Sequence, residues 1–204
     1  MTLKPEFGLS GSALKVIAMI SMVIDHVALY LMEHGTVLYG TMRCIGRIAF
    51  PVFAFLIAEG FIHTKSRYRY FFTLLGFAVI SEIPWYLLNG ADGTHNVMFT
   101  LALGVATLMV LENLLQRSIV LGFLWTLGMS GLASWLGVDY EWRGILVIVI
   151  FYLFNVYGHS FPYSRGMQFF STFALMIHYG VIGAVMACMI LYLYNGKRGF
   201  VQGS

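Results

Sequence analysis

The chain has 204 residues, of which 59% are hydrophobic and 10% are charged, and its formal net charge is +3. Soluble domains carry about 25% charged residues, so this composition excludes a soluble globular protein and indicates a polytopic membrane protein. The small positive charge comes from a few loop residues that set membrane orientation, so we expect no nucleic-acid partner.

Apolar runs follow one another along the chain, and each can be compared with the ~20 residues that a helix needs to cross a bilayer. The first run begins near Ala13. It is too long for a signal peptide and has no small-x-small cleavage site after it, so we predict that it is the first span. The predicted runs are 14–32, 44–62, 70–88, 97–115, 119–136 and 145–157.

The last apolar segment, 167–194, is too long for one spanning helix and short for two. We expect the basic loop 65–69 in the cytoplasm, which places the N-terminus there as well. The tail charges at 197–198 then require an even number of crossings. We therefore predict an all-α transmembrane bundle of about eight spans, broken near 179–180, with seven spans as the alternative. No repeat or linker interrupts the sequence, so residues 1–204 are predicted to form one domain in a bacterial inner membrane.

Ionisable residues lie inside or beside these runs, where each costs about 2.5–3.5 kcal/mol unless it faces a bundle interior or a wet cavity. We therefore expect them to converge on one site, in two layers that the predicted topology separates by depth. The outer layer consists of Asp25, His26, Arg43, Arg47, Glu82, Asn96 and Thr100. The inner layer consists of Lys15, Glu59, His63, Lys65, Arg67 and Arg69.

The outer layer suits proton-transfer chemistry. Histidine titrates near neutrality, so we predict that His26 acts as a general base. Asp25 and Glu82 compete to orient its ring, because Asp25 is about 100° away from His26 around the helix. Arg43 or Arg47 would then stabilise developing negative charge, as an oxyanion donor does.

The inner layer suits a polyanionic ligand, because Lys and Arg recognise phosphate groups by charge and donor geometry. The predicted contacts of this ligand are Lys15, Arg43, Glu59, His63, Lys65 and Arg67. Asn96 and Thr100, at the outer start of the fourth run, are predicted to contact a second substrate. We expect no metal, because the two cysteines, Cys44 and Cys188, lie far apart without the paired spacing of metal motifs.

Each of these assignments has a structural alternative. Lysines near a helix end often snorkel to the headgroups, and arginines there often anchor to them. Asp25 and His26 would equally tie neighbouring helices together by hydrogen bonds. Glu59 and His63 have the spacing of a pair within one helix, and the basic loop 65–69 suits lipid phosphates.

Several segments together resemble the TraX family, named for the protein that N-acetylates F-pilin. The Lys-x10-His spacing of the first of them is similar to the basic-x10-His signature of membrane acyltransferases of the acyltransferase-3 type. The matching segments are LKVIAMISMVIDH at 14–26, RCIGRIAFPVFAFLIAEGFIHT at 43–64 with the basic and tyrosine residues after it, ISEIP at 80–84, NVMFT at 96–100 and LYNGKRG at 193–199. The family pattern continues with a further helix bearing a Tyr-Pro-x-His element, whereas only residues 200–204 follow here.

The resemblance implies transfer of an acetyl or other acyl group from cytoplasmic acyl-CoA to an acceptor amine or hydroxyl at the outer face. The acceptor would be a secreted peptide, a pilin, a sugar or a lipid headgroup. Geometry fits this reading, because Lys15 and His26 lie about 16 Å apart along one helix and within about 20° of one face. A phosphate at Lys15 and a thioester at His26 would match the length of a pantetheine arm.

Two other functions compete with the acyltransferase. One is a transporter or channel in which Asp25, His26, Glu59 and Glu82 relay protons or ions. The other is an accessory subunit of a secretion or pilus machine. Membrane lipids surround the protein in all three.

Overall fold

In the computed structural model, residues 8–158 and 163–199 are described, and their regular structure is helical apart from isolated β-bridges. The α-helices of these ranges are α1 (Gly11–Leu31), α2 (Val37–Gly46), α3 (Ala49–His63), α4 (Arg67–Asn89), α5 (Val97–Arg117), α6 (Ile119–Trp135), α7 (Glu141–Tyr157), α8 (Ser164–Met176) and α9 (Val181–Tyr192). The all-α prediction is thus confirmed for the described residues.

Within the described part of the chain, four helical stretches are long and apolar enough to cross a membrane: Gly11–Leu31, Val37–His63, Arg67–Asn89 and Val97–Arg117. The second of them contains both α2 and α3. Helices α6 and α9 are apolar but shorter. The chain is therefore a membrane protein, and the total of about eight spans and the cytoplasmic N-terminus stay predictions.

The predicted run 44–62 differs most from the structure. Two separate helices, α2 and α3, cover this region. Thr36 caps α2 by accepting a hydrogen bond from the N–H of Tyr39 over 3.1 Å. Pro51 lies in the first turn of α3, and a proline tolerates that position but clashes with the carbonyl four residues earlier when it lies deeper. That carbonyl belongs to Arg47, which explains why the helix stops there and restarts.

The predicted break near 179–180 is confirmed. A short 3-10 turn, Ile177–Tyr179, separates α8 from α9. Gly180 follows it with φ of +139°, a left-handed conformation that only glycine adopts without strain.

The described residues form two compact units, and the boundary between them falls within α3, after Leu56. The single domain over 1–204 stays a prediction. Unit 1 comprises residues 8–56 and 166–199, and in it α1 packs on α2 and α2 packs on α9.

The C-terminal segment of unit 1 caps the N-terminal end of α1. The N–H groups of Gly11 and Ser12 donate to the carbonyl oxygens of Lys197 and Arg198, over 2.8 and 3.0 Å. A helix leaves its first N–H groups without intrahelical partners, so these carbonyls satisfy donors that would otherwise be unpaired. The LYNGKRG motif therefore caps the first span.

Unit 2 comprises the described residues of Ile57–Arg165. Helix α5 is central, because it packs on α4, α6 and α7. Leu108 of α5 and Ile145, Ile148 and Phe151 of α7 are fully buried in this core. Gly104 permits the close approach of α5 and α7, since a Cβ there would collide with the side chain of Ile148.

Replacing Gly180 tests the break between α8 and α9. We expect Gly180→Ala to lower the free energy of unfolding by about 1–3 kcal/mol, because alanine is strained at this φ. Gly166→Ala is the control, since a Cβ there meets nothing within 4 Å. Unfolding in mixed detergent micelles measures both, and equal stabilities of the two variants would contradict the assigned backbone conformation.

Candidate functional site

The predicted site residues are divided between the two units. Unit 1 holds Lys15, Asp25, His26, Arg43 and Arg47. Unit 2 holds Glu59, His63, Lys65, Arg67, Glu82, Asn96 and Thr100.

His26 is half-buried on α1, and its ring is held by its own helix. Nδ1 lies 2.8 Å from the carbonyl oxygen of Met22, one turn earlier. A carbonyl only accepts, so Nδ1 carries the hydrogen, and in the neutral ring the lone pair is on Nε2. Among the described residues, Nε2 has no hydrogen-bond partner. The ring is thus in the tautomer that a general base at Nε2 requires, without help from a carboxylate.

Asp25, the neighbour of His26, forms an ion pair with Arg43. Nη1 of Arg43 donates to Oδ2 of Asp25 over 2.6 Å, and both side chains are less than one-fifth exposed. The other carboxylate oxygen, Oδ1, is buried and has no partner in the described residues. Asp25 lies directly on Gly46, where a Cβ would collide with the carboxylate. This pair therefore joins α1 to α2, and Arg43 takes the carboxylate that was predicted to orient His26.

Arg47, the other predicted anion stabiliser, lies at the end of α2. Its guanidinium carbon is 6.0 Å from the centroid of the Tyr179 ring. A Cβ on Gly183 would collide with the Arg47 side chain, so α9 packs directly on it. Within unit 1, Arg47 thus contacts the start of α9.

Glu82, the competing orienting carboxylate, is bonded to His95, a histidine outside the predicted site. Nδ1 of His95 lies 2.5 Å from Oε1 of Glu82. The side-chain amide of Asn96 donates to Oε2 of Glu82 over 2.6 Å. His95 directly precedes the predicted residue Asn96 in a polar turn, and this position could have indicated that it belongs to the same cluster.

Asn96 and Thr100 are buried, at 5% and 0% exposure. The side-chain oxygen of Asn96 caps α5 by accepting from the N–H of Met98 over 3.0 Å. The Thr100 hydroxyl donates to the carbonyl oxygen of Asp139. Both polar groups therefore order the turn, and their contact with a substrate stays a prediction.

Most of the predicted inner-layer residues of unit 2 have a hydrogen-bond or ion-pair partner within that unit. The side-chain amide of Asn155 donates to Glu59 over 3.1 Å. His63 bonds through Nδ1 to the backbone oxygen of Glu59 over 2.8 Å. Arg67 forms an ion pair with Glu112 and lies over the ring of Phe61, 4.8 Å from its centroid. Glu112 and Asn155 were not predicted as partners, although Glu112 interrupts the fourth apolar run.

Lys65 lines a surface pocket of about 310 Å³ at the start of α4. The other lining residues are Thr64, Ser66, Arg69, Tyr70 and Thr73. Ser66 caps α4 by accepting from the N–H of Arg69 over 3.3 Å. Two cations and several hydroxyls beside a helix N-terminus suit an anionic group.

Lys15 is exposed on α1 of unit 1, and its contact with a ligand stays a prediction. In the described ranges, no group of three or more His, Cys, Asp or Glu side chains is placed to hold a metal ion.

A double-mutant cycle tests the pairing of Asp25 with Arg43. We expect Asp25→Asn and Arg43→Gln each to lower the free energy of unfolding by about 1–3 kcal/mol, because each leaves a buried partner unsatisfied. The double variant should lose less than the sum, with a coupling of at least about 0.5 kcal/mol. Glu33→Gln, on an exposed residue beyond α1, is the control. Strictly additive losses would contradict the ion pair.

Comparison with known proteins gives consistent matches over nearly the whole chain. The sequence profile of the TraX protein family matches residues 10–203. The probable fimbrial assembly protein FimC, serogroup H1, of Dichelobacter nodosus is 30% identical over 220 residues, which cover 93% of this chain and 86% of that protein. An uncharacterized protein of Rickettsia prowazekii is 32% identical over 167 residues, which cover 81% of this chain and 62% of that protein. No solved structure matches the chain.

Proposed function

This chain belongs to the TraX protein family, and from that premise we propose that it is a pilus-related membrane acyltransferase. Its donor in this proposal is an acyl-CoA, with acetyl-CoA the first to test. Its acceptor is an amine or hydroxyl on the opposite side of the membrane. The similarity to a fimbrial assembly protein supports a peptide or pilin as the acceptor, ahead of a sugar or a lipid headgroup.

The observation that carries the proposal is the fixed tautomer of His26. Its Nδ1–H is bonded to Met22, so Nε2 offers a lone pair inside an apolar span. In the proposed step this nitrogen takes a proton from the acceptor as the acceptor attacks the thioester carbon. The bond from acceptor to acyl carbon forms, the carbon–sulfur bond breaks, and the CoA thiolate leaves as the thiol with that proton. A positioned base of this kind contributes about 10²–10⁴-fold to the rate.

The phosphates of acyl-CoA need cations, and two places in the chain offer them. Lys15 is exposed on the same helix as His26, about 16 Å away along its axis. Lys65 and Arg69 line the pocket at the start of α4. Arg67 is held by Glu112, so the proposal assigns phosphate contact in this loop to Lys65 and Arg69.

A second candidate function is assembly of a pilus without catalysis. The similarity to a probable fimbrial assembly protein of Dichelobacter nodosus favours it. In that case the ion pairs of both units would serve only to order the helices. Binding of acyl-CoA by the purified protein separates the two functions, because an assembly factor has no need of it.

Replacing His26 tests the proposed reaction. We expect His26→Gln to keep acetyl-CoA binding and to lose acyl transfer by at least about 100-fold, because only the base is removed. Binding is measured on detergent-solubilised protein, and transfer is measured with a peptide acceptor. His34→Gln is the matched control, since His34 is an exposed histidine that stacks on Tyr39. Unchanged acyl transfer in His26→Gln would contradict the role of His26 as the base. Wild-type protein without affinity for acyl-CoA would contradict the proposed acyltransferase function.

Charge removal tests where the phosphates bind. We expect Lys15→Gln and the double variant Lys65→Gln/Arg69→Gln each to raise the Kd of acetyl-CoA if that cation group contacts a phosphate, by about 10-fold or more per charge-assisted bond. Arg117→Gln is the control, because Arg117 is an exposed cation at the end of α5. An unchanged Kd in both variants would contradict the phosphate assignment.

A further inference from the structure

The tail segment 195–199 places two cations beside the start of α1. The backbone oxygens of Lys197 and Arg198 accept from the N–H groups of Gly11 and Ser12. The Ser12 hydroxyl also donates to the carbonyl oxygen of Arg198, over 2.9 Å. These bonds use only backbone atoms of the two basic residues. Their side chains are exposed, so they are available to a ligand.

The backbone that carries these two cations is held in one conformation. The side-chain oxygen of Asn195 accepts from the N–H of Lys197 over 2.9 Å. Gly196 and Gly199 flank the pair with φ of +76° and +91°, a conformation that other residues rarely adopt. Lys197 and Arg198 therefore project from a loop whose position relative to α1 is fixed.

Lys15 of α1 belongs to the same group of cations. It lies four residues after Gly11, and residues at this spacing share one face of a helix. A long helical side chain leans toward the N-terminus of its helix, so Lys15 leans toward the turn that the tail contacts. The Cα atom of Arg198 lies 4.0 Å from the position that a Cβ on Gly11 would take, beside this face. Lys15, Lys197 and Arg198 together form what we call the basic cluster of unit 1.

The basic cluster has no nearby carboxylate in the described residues of its unit. The acidic side chains there are Asp25 and Glu33. Asp25 lies about 15 Å along α1 from Lys15 and is paired with Arg43. Glu33 lies beyond the opposite end of α1. Within the described ranges none of the three cations forms an ion pair. Like charges repel, so an anion bound among them lowers the electrostatic free energy.

We propose that the basic cluster binds the nucleotide of acyl-CoA through its diphosphate and its 3′-phosphate. This inference rests on the proposed acyltransferase function. Of the two places that offer cations to acyl-CoA, it puts the nucleotide at the one in unit 1. Lys and Arg form charge-assisted hydrogen bonds to phosphate oxygens, and Arg can form two at once.

The place of the basic cluster on α1 suits this ligand. Lys15 and His26 lie about 16 Å apart along one helix, so phosphates bound at the cluster leave the length of a pantetheine arm to the base. The bonds between the tail and α1 keep all three cations at the end where α1 begins, which is predicted to be cytoplasmic. A lipid headgroup offers the same phosphate chemistry, but the nucleotide also carries an arm that reaches His26.

Binding of two ligands to the detergent-solubilised full chain tests the site. The ligands are acetyl-CoA and 3′-phospho-ADP, which is CoA without its arm. We expect Lys197→Gln and Arg198→Gln each to raise both Kd values by about 10-fold or more, because each removes a charge-assisted bond to phosphate. Lys197→Arg keeps the charge and should stay near the wild-type affinity. Arg117→Gln, which removes one exposed cation of unit 2, is the matched control.

The variants should keep the wild-type unfolding temperature, because backbone atoms make the bonds to α1. Wild-type Kd values in both glutamine variants, beside wild-type protein that binds acetyl-CoA, would overturn this inference and leave the proposed function standing. An equal loss of affinity in Arg117→Gln would also overturn it, as a general effect of charge. Wild-type protein that binds neither ligand would overturn the proposed function as well.

A lipid arm of the experiment separates the two sources of phosphate. The same variants are assayed for phosphatidylglycerol that stays bound through purification. The inference predicts equal retention in the wild type and in the glutamine variants. Retention that falls in these variants while their Kd for acetyl-CoA stays at the wild-type value would assign the basic cluster to lipid headgroups and overturn the inference.

Discussion

The cost of a carboxylate in an apolar helix is the constraint on which this structure depends. An ionised side chain in a membrane span is tolerated when a donor lies against it. In unit 1, Arg43 meets Asp25 at 2.6 Å and joins two helices. In unit 2, Arg67 meets Glu112 in the same way. The first pair joins α1 to α2 within unit 1, and the second joins α4 to α5 within unit 2.

The same constraint determines which atoms remain for chemistry. Because Arg43 takes the Asp25 carboxylate, the ring of His26 is oriented by the carbonyl oxygen of Met22. The arrangement that the sequence predicted for His26, a carboxylate bonded to an imidazole, occurs instead at Glu82 and His95. In both of these histidines Nδ1 is the bonded nitrogen, in one case within an apolar span and in the other in a polar turn.

Much of the fold was predictable because the apolar runs are long and separated by polar turns. The break at Gly180 followed from the length of the last segment. Helix α2 was not predicted as a separate helix, because the length of an apolar run does not show that the Pro51 ring would clash with the carbonyl group of Arg47 in a continuous helix. The pairing of Asp25 with Arg43 was not predictable either, since it depends on how two helices rotate against each other. Likewise, the capping of α1 by Lys197 and Arg198 joins residues from opposite ends of the chain, which sequence patterns do not connect.

Acylation across a membrane tests the central claim most directly. The purified protein is placed in liposomes with acetyl-CoA on one side of the bilayer and a peptide with a free N-terminus on the other, and mass spectrometry follows the peptide. The account predicts a peptide heavier by one acetyl group, formed by the wild type and lost in His26→Gln. An unmodified peptide beside intact acetyl-CoA, with correctly inserted protein that binds acetyl-CoA, would contradict it.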